Sequence, residues 1–344
     1  MSRRTDGVSG YIAGGLGNQL FILAAAWDQA RRLDCPLYLD RSHFAVPGTH
    51  RYGLEAVSVP AIELAPRESW RSVRINSERV LPVPTKVGRV FIERTADAYM
   101  PSIEAIRPGT TLLGYFQSPR YFERVHADLL QAMWSTAETE SETARIREMG
   151  ERPAITLHLR RGDYLAVPTD RQFIASVDYA LRAIRLLRRE GIDLPVRVFS
   201  DSVDLVKSEL ATAPGEFEFV EDDAALGTWA TLKAMAAGKA MIMSNSSFSW
   251  WAAEMMQDRS ETLVVAPRPW TLGGTAKADL LHPDWVTLDA RWPAPSVWDA
   301  APPEICEESA LPEAAHVAIV GSGYTGLVAA LHLGAAGCSV LVLE

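Results

Sequence analysis

Short apolar runs alternate with amphipathic stretches along most of the chain. The first run, Val8 to Ala13, is followed by a glycine-rich break and then by a helical stretch from Asn18 to about Leu33. Pro36 ends that stretch, and the apolar residues 37–39 follow it. This order predicts a strand, a tight turn, a helix and a second strand, which together form one βαβ unit.

The alternation is more regular in the second half of the chain. Strands are predicted over 154–159, 196–199, 217–220, 240–243 and 263–266, and helices over 177–189, 202–210, 228–237 and 248–257. Strands and helices alternating at this spacing are typical of a parallel sheet covered on both faces. The predicted fold class is therefore α/β, with twin Rossmann-like halves that divide near Gly150.

Two stretches lack this regularity. Residues 45–110 are rich in Pro, Arg and Glu, and no element is predicted there, although a strand over 112–116 and a helix over 119–133 follow. Residues 291–315 combine five prolines with several acids, which is typical of a linker. Beyond it, residues 316–344 form one further compact βαβ pattern.

Composition and charge narrow the class of protein. The 344 residues allow two domains of ordinary size, and 48% hydrophobic with 22% charged residues is the balance of a folded soluble chain. A net charge of -9 argues against a nucleic-acid partner. The three cysteines are scattered, and we find no signal peptide and no membrane-spanning segment in the sequence. We therefore expect a cytoplasmic protein. Peripheral association with the inner face of the membrane is a possibility that the sequence leaves open.

A basic and acidic cluster follows the strand predicted over residues 154–159. Residues 158–164 read His-Leu-Arg-Arg-Gly-Asp-Tyr. Ligand sites of open α/β sheets gather at the carboxyl ends of strands, where Arg160 and Arg161 can bind a pyrophosphate through paired hydrogen bonds. Asp163 can hold one arginine in position. A surface salt-bridge cluster is the alternative that spacing alone leaves open.

A row of small polar residues follows the strand predicted over 240–243. Residues 244–251 read Ser-Asn-Ser-Ser-Phe-Ser-Trp-Trp and open a predicted helix. Free backbone N–H groups at a helix start bind an anion without any net positive charge. An N-cap serine ahead of two core tryptophans would explain one serine but not the whole row. The donor-binding candidates here are Asn245, Ser246, Ser247 and Phe248.

A third motif lies near the start of the chain. Residues 14–19 read Gly-Gly-Leu-Gly-Asn-Gln, between a predicted strand and a predicted helix. Glycine lets a backbone approach a ligand closely, and Asn18 and Gln19 offer side-chain amides at the helix start. Gly15, Asn18 and Gln19 are therefore further donor-binding candidates. Many αβ turns share this pattern, so it gains meaning only together with the other two motifs.

In this order the three motifs resemble those of the family 11 alpha-1,2-fucosyltransferases. Shorter segments are similar too: residues 114–118 (Gly-Tyr-Phe-Gln-Ser), 199–201 (Phe-Ser-Asp) and 279–285 (Asp-Leu-Leu-His-Pro-Asp-Trp). The resemblance implies a GT-B-like fold of two facing Rossmann-like domains, with residues 1–149 on the acceptor side and 150–290 binding GDP-fucose. The implied partners are GDP-fucose and a beta-galactoside or other glycan acceptor.

The resemblance also implies a reaction, an inverting transfer of L-fucose from GDP-beta-L-fucose to the 2-hydroxyl of a beta-galactoside. The chain has no Asp-x-Asp, so we expect no metal and no cofactor. Arg160, Arg161 and the helix start at Ser246 and Ser247 must then neutralise the departing diphosphate. His158 and Asp163 are the candidates for the general base by position, although His158 is also explained as a packed core histidine. A non-catalytic GDP-sugar-binding module is a further alternative.

The C-terminal segment carries a different fingerprint. Gly321, Gly323 and Gly326 follow the strand predicted over 317–320. A predicted helix and a second predicted strand come next, and the acid Glu344 follows that strand. This pattern resembles the opening of flavin-dependent oxidoreductases, which bind FAD or NAD there. About 30 residues cannot bury a core, so we expect a truncated, non-functional unit. The alternative is a fragment of a bifunctional protein whose missing part is an FAD- or NAD-dependent oxidoreductase.

Overall fold

Two parallel β-sheets carry most of the chain in the computed structural model of the protein. The structure describes residues 6–46, 50–65, 70–74, 80–84, 88–94, 98–162, 175–221, 226–257, 262–270, 279–290, 317–320 and 340–343. The chain divides into two compact units, Met1–Pro293 and Ala294–Glu344. Both sheets lie in the first unit.

The first sheet has five parallel strands in the order β3-β2-β1-β7-β6. These are β1 (Val8–Tyr11), β2 (Leu37–Asp40), β3 (Ala61–Leu64), β6 (Arg89–Ile92) and β7 (Thr110–Leu113). Strands β4 (Trp70–Arg74) and β5 (Val80–Pro84) form an antiparallel pair. Helix α1 (Leu16–Arg32) follows β1, and helix α2 (His126–Trp134) follows β7. Short 3-10 turns cover Ser42–Ala45, Pro101–Ala105 and Pro119–Tyr121.

The second sheet has six parallel strands in the order β10-β9-β8-β11-β12-β13. These are β8 (Ile155–Leu159), β9 (Val196–Ser200), β10 (Phe217–Phe219), β11 (Ala240–Ile242), β12 (Leu263–Arg268) and β13 (Val286–Asp289). Helix α3 (Glu140–Glu151) precedes β8. The helices that alternate with the later strands are α4 (Val177–Arg189), α5 (Val203–Leu210), α6 (Thr228–Ala236) and α7 (Ser247–Gln257). The fold class predicted from the sequence, α/β with two parallel Rossmann-like sheets, is confirmed.

The order of the strands reverses once in the second sheet. The reversal lies between β8 and β11, which pair with Ala240 opposite Ile155. Crevices of doubly wound sheets open at such switch points, beyond the carboxyl ends of the strands. In the first sheet β1 pairs with β7, which lies far along the chain, with Val8 opposite Thr110. A ligand site is therefore expected at the carboxyl ends of β8 and β11.

Helix α7 joins the two sheets. Its Trp250 and Trp251 are completely buried, and the Phe21 ring of α1 lies 4.6 Å and 4.8 Å from theirs. The indole Nε1 of Trp251 donates to the carbonyl of Gly17 at 2.9 Å. Further along α7 the buried Glu254 carboxylate lies 2.7 Å from His126 Nε2, at the start of α2. Helix α7 thus belongs to the cores of both halves.

Several predicted boundaries differ from the structure for local reasons. Strand β7 ends at Leu113 rather than at residue 116, because the chain turns around the buried Glu93, whose carboxylate accepts the backbone N–H groups of Tyr115 (2.7 Å) and Phe116 (2.9 Å). The helix predicted from residue 119 begins only at His126, after a 3-10 turn. Strand β13 was not predicted.

The second unit contains a small parallel sheet. Strand β14 (Val317–Val320) pairs with β15 (Val340–Leu343), with Val317 opposite Val340. This is the strand pairing of a βαβ unit. The predicted linker 291–315 and the predicted fingerprint residues Gly321, Gly323, Gly326 and Glu344 lie outside the described residues. Across the described parts of the chain, no helix combines the length and apolarity that crossing a membrane requires.

Candidate active site

The three sequence motifs meet at the carboxyl ends of β1, β8 and β11. Strand β8 leads into Arg160, and β11 leads into the serine-rich segment 244–249; the backbone N–H of Arg160 donates to Ser244 Oγ at 3.3 Å. Strand β1 leads into the glycine turn, which contacts the same serine-rich segment at the start of α7. One crevice therefore collects all three motifs between the two sheets.

The side chain of Arg160 is held by an acid from the neighbouring strand. Its Nε lies 3.2 Å from Asp201 Oδ2, just beyond the end of β9. The other oxygen of Asp201 accepts the backbone N–H groups of Arg161 (2.7 Å) and Gly162 (3.0 Å). Although burial opposes its ionisation, these N–H groups and the Arg160 charge hold the pKa of Asp201 below its usual value. The carboxylate stays ionised and orients Arg160.

Asp201 is a functional candidate that we did not single out from the sequence. Asp163 was expected to hold an arginine, and it lies outside the described residues. The signal for Asp201 was present in the segment Phe199-Ser200-Asp201, which directly follows a strand. A Cβ on Gly162 would lie 2.8 Å from Asp201 Oδ2, so glycine is needed there for the carboxylate to approach.

Arg161 does not lie in the crevice with Arg160, contrary to expectation. Its side chain is buried, with 2% of its surface exposed, and its Nε bonds the Glu209 carboxylate at 2.9 Å. Its Nη1 donates to the carbonyls of Arg160 and Ala175, both at 3.0 Å. The alternation of side chains past the end of β8 turns Arg161 toward α5. Its role is therefore to brace the strand end rather than to contact a ligand.

His158 is a buried residue of β8. Burial, and next the charge of Arg160, lower the pKa of its imidazole to about 3. The ring centroid lies 6.3 Å from that of Phe248, and Nδ1 has no hydrogen-bond partner among the described residues. His158 is therefore uncharged near neutral pH and a weak proton acceptor, which favours the packed-histidine interpretation.

The serine-rich segment forms the start of α7 and bonds largely to itself. Ser249 Oγ donates to the carbonyls of Ser244 (3.2 Å) and Ser246 (3.1 Å), and Ser246 Oγ accepts the N–H of Phe248 at 3.3 Å. Asn245 Nδ2 donates to the carbonyl of Trp270 at 3.3 Å. These bonds fix the first turn of the helix, while Ser247 and Phe248 remain half-exposed. The turn presents backbone N–H groups toward the crevice.

The glycine turn packs directly against that helix start. A Cβ on Gly17 would lie 2.5 Å from the carbonyl carbon of Ser247 and 2.6 Å from the nitrogen of Phe248. Such distances leave room for glycine alone. Gly14 has a φ of 76°, the left-handed conformation that glycine adopts readily. The first turns of α1 and α7 therefore meet, and both helix dipoles place positive potential there.

The amides of the glycine motif have separate roles. Gln19 is fully buried; its Nε2 donates to the carbonyls of Gly14 and Arg51, and its Oε1 accepts the N–H of Gly53. It holds a neighbouring loop and is not available to a ligand, contrary to expectation. Gly15 and Asn18 are half-exposed, and Asn18 Oδ1 accepts Gln117 Nε2 at 2.7 Å.

Sequence comparison decides the family. The family described as Glycosyl transferase family 11 matches residues 110–289, which is more than half of the chain. The protein belongs to glycosyl transferase family 11. That segment contains Arg160, Asp201 and the serine-rich start of α7.

Individual relatives agree with this family. The chain is 25% identical to the O-antigen biosynthesis glycosyltransferase WbnK of Escherichia coli over 305 residues, which is 80% of this chain and 99% of the relative. It is 23% identical to an Alpha-1,2-colitosyltransferase of Escherichia coli, covering 75% of this chain and 90% of the relative.

Two solved structures are similar to this chain at low sequence identity. POFUT1 in complex with GDP-fucose matches with 14% identity and a TM-score of 0.44, over 76% of this chain and 98% of that one. Fucosyltransferase NodZ from Bradyrhizobium matches with 16% identity and a TM-score of 0.39, over 72% of this chain and 92% of that one.

The charge in the crevice of this family 11 glycosyltransferase comes from fixed groups. One crevice contains two helix starts and the Arg160 guanidinium, which the Asp201 carboxylate holds in place. An anionic leaving group can therefore be stabilised there without rearrangement of these groups. In the described part of the chain, no three His, Cys, Asp or Glu side chains are grouped so that they could hold a metal ion.

Proposed function

We propose that this glycosyltransferase is an inverting fucosyltransferase that moves L-fucose from GDP-beta-L-fucose to the 2-hydroxyl of a beta-galactoside. The observation that carries the proposal is the meeting of Arg160, the serine-rich start of α7 and the glycine turn in one crevice. Family membership and the name of the relative that forms an alpha-1,2 linkage support the reaction type.

The donor diphosphate would be bound from the side of the second sheet. Arg160 supplies a forked pair of N–H donors, and Asp201 keeps that fork aimed because it is bonded to the adjacent backbone. The helix start at Ser246, Ser247 and Phe248 supplies backbone N–H groups. As the bond from the sugar to the diphosphate breaks, negative charge grows on the leaving oxygen, where these donors stabilise it.

The proposed donor contacts are fewer than those expected from the sequence. Arg160 and the half-exposed residues of the two helix starts remain: Gly15, Asn18, Ser247 and Phe248, with Asn245 and Ser246 shaping the turn. Arg161 and Gln19 stabilise the segments that carry them, because their own polar atoms are bonded inside the protein.

The test is a transfer assay with purified protein, GDP-fucose and a panel of beta-galactosides, performed in EDTA and repeated with added magnesium. We expect release of GDP and a product whose new linkage, determined by NMR, is alpha-1,2. A colitosyl donor is the matched alternative, because one relative is a colitosyltransferase.

Three results would contradict the proposal. Transfer from the colitosyl donor alone would change the sugar, and a product with retained configuration would exclude single displacement. Activity that needs an added metal would show that the arginine and the helix starts do not neutralise the diphosphate by themselves.

A further inference from the structure

The proposed transfer needs a group that accepts the proton of the acceptor hydroxyl, and the groups beside Arg160 are poorly suited to it. His158 is buried with a pKa of about 3, and Asp201 is bonded to two backbone N–H groups and to Arg160. In a single displacement the acceptor approaches opposite the leaving diphosphate. The base is therefore expected on the side of the first sheet.

His50 lies on that side, beside the glycine turn. A Cβ on Gly15 would be 4.0 Å from His50 Cε1, so the imidazole lies beside the glycine turn. The residue is exposed, and its ring has no hydrogen-bond partner among the described residues.

The loop that carries His50 is fixed from both halves of the protein. The buried Gln19 bonds the carbonyl of Arg51 at 2.8 Å and the N–H of Gly53 at 2.9 Å. From α6, Trp229 Nε1 donates to the carbonyl of Gly53 at 2.9 Å. These three hydrogen bonds fix the backbone of residues 51–53, which directly follow His50. A fixed backbone limits the positions that the neighbouring imidazole can take, as a proton-transfer group requires.

The other acids of the first sheet's crevice are already engaged. Glu93 is buried and accepts two backbone N–H groups of the turn after β7. Asp40 is buried and bonded to Ser42. His50 is an exposed proton acceptor that lies beside the glycine turn.

We propose that His50 is the general base of the transfer, an inference that rests on the proposed function. A ring nitrogen of His50 accepts the proton of the acceptor hydroxyl, and the electron pair of that oxygen forms the new bond to the anomeric carbon. The bond from that carbon to the diphosphate breaks, and its electron pair leaves with GDP. The imidazolium then returns the proton to water.

The test uses two acceptors that differ in their need for a base. A beta-galactoside must lose a proton to react, whereas azide is an anion with no proton to lose, so it can form a fucosyl azide directly. We expect His50→Gln to lower kcat for the galactoside about 100- to 10,000-fold, the usual range for a general base. Fucosyl azide formation and GDP affinity, measured by calorimetry, should stay near those of the unchanged protein.

Two further variants complete the experiment. His50→Glu restores a proton acceptor and should recover part of the galactoside rate. Glu55→Gln removes an exposed acid of the same loop and should leave both reactions unchanged.

The outcomes separate the two proposals. If His50→Gln keeps galactoside transfer within about threefold of the unchanged protein, well below the range for a lost base, His50 is not the base although the transferase function stands. Equal loss of the azide and galactoside reactions would overturn the base assignment in favour of a structural role. An unchanged protein that releases no GDP with either acceptor overturns the proposed function and this inference together.

Discussion

At the scale of single residues, the proposed role of Arg160 depends on the planar shape of its guanidinium as much as on its charge. Its Nε lies 3.2 Å from Asp201, which leaves the outer edge of the guanidinium for a ligand. Arg160→Lys keeps the charge but loses the fork, because an ammonium cannot bond Asp201 and a diphosphate in the same planar way. We expect kcat/KM for GDP-fucose to fall about 100-fold or more, nearly as far as in Arg160→Ala.

The matched control for that pair is Arg145→Lys, on the exposed face of α3. Arg145 bonds Glu148 at 2.8 Å at the surface, where the exchange of arginine for lysine costs little. Transfer by the control should be unchanged. A near-normal rate in Arg160→Lys, measured under the same conditions, would show that charge alone suffices at residue 160.

The second prediction for a single residue concerns His158 and the pH dependence of the free energy of unfolding. Its pKa lies near 3 in the folded protein, below the ordinary 6.5, so between these values the unfolded chain binds a proton that the folded protein does not. Stability is therefore fully present above about pH 6.5 and falls by up to about 1.4 kcal/mol per pH unit as the pH drops. His158→Gln should show a shallower decline between pH 6.5 and 4.5.

Chemical denaturation of both proteins at several pH values measures this difference. Other groups titrate in the same range, but they are shared by the two proteins and cancel when the slopes are compared. Identical slopes would mean that His158 is protonated in the folded state.

At the scale of secondary-structure elements, the contact of α1 with α7 depends on a missing side chain. Gly17→Ala would place a methyl group 2.5 Å from the Ser247 carbonyl carbon, so the two helices must separate. We expect a loss of about 1–3 kcal/mol in the free energy of unfolding, the usual range for overpacking. GDP binding should weaken as well, because the same helix starts form the proposed donor site.

Gly150→Ala is the control for this substitution. Gly150 also lies in a helix, α3, and a Cβ there would meet nothing within 4 Å. Alanine is favoured over glycine in helices, so this variant should gain about 0.5–1 kcal/mol. Urea denaturation of the two variants gives both values, and a Gly17→Ala protein as stable as Gly150→Ala would contradict the packing described.

The regular helices and strands were predictable because the spacing of apolar residues along the chain indicates which side chains are buried. Helix α4 begins at Val177 and ends at Arg189, as its amphipathic pattern predicts, and the strands of the second sheet are apolar runs. Helix α3 carried a readable signal that was not used, the capping box of Thr139 and Glu142. Strand β3 has only Leu64 buried, so its sequence offers little contrast.

The candidate site was only partly predictable, because sequence motifs locate strand ends but not side-chain directions. Arg160 and Arg161 are adjacent and chemically alike, yet one reaches Asp201 and the other is buried against Glu209. Likewise Asn18 and Gln19 differ in exposure. His50 belongs to no motif, and it lies beside Gly15 because its loop folds back onto Gln19.

At the scale of the whole molecule, the transferase motifs and both larger sheets lie within Met1–Pro293. Strand β13 is part of the second sheet, and the buried Ala290 donates its N–H to the carbonyl of Arg268 at 3.0 Å. A chain cut after Pro293 keeps these contacts. We therefore expect it to fold and to transfer fucose with kcat within about twofold of the intact chain, because all groups of the proposed donor site precede the cut and domains usually fold as independent units.

The comparison requires both proteins at equal concentration, with folding checked by circular dichroism and flavin content by absorbance. A folded but inactive cut protein would show that residues 294–344 contribute to transfer. A stoichiometric flavin in the intact chain would show that the glycine fingerprint is functional, as the oxidoreductase alternative requires.

The backbone contact between Gly17 and Ser247 has a consequence for how such enzymes can diversify. In a chimaera that joins the segment equivalent to residues 1–149 of one family member to the rest of another, the starts of α1 and α7 come from different proteins. It should fold only when the incoming α1 has glycine at the position that meets α7. Exchange of whole halves between family members is therefore limited by one backbone contact, whereas exchange of a surface loop leaves that contact unchanged.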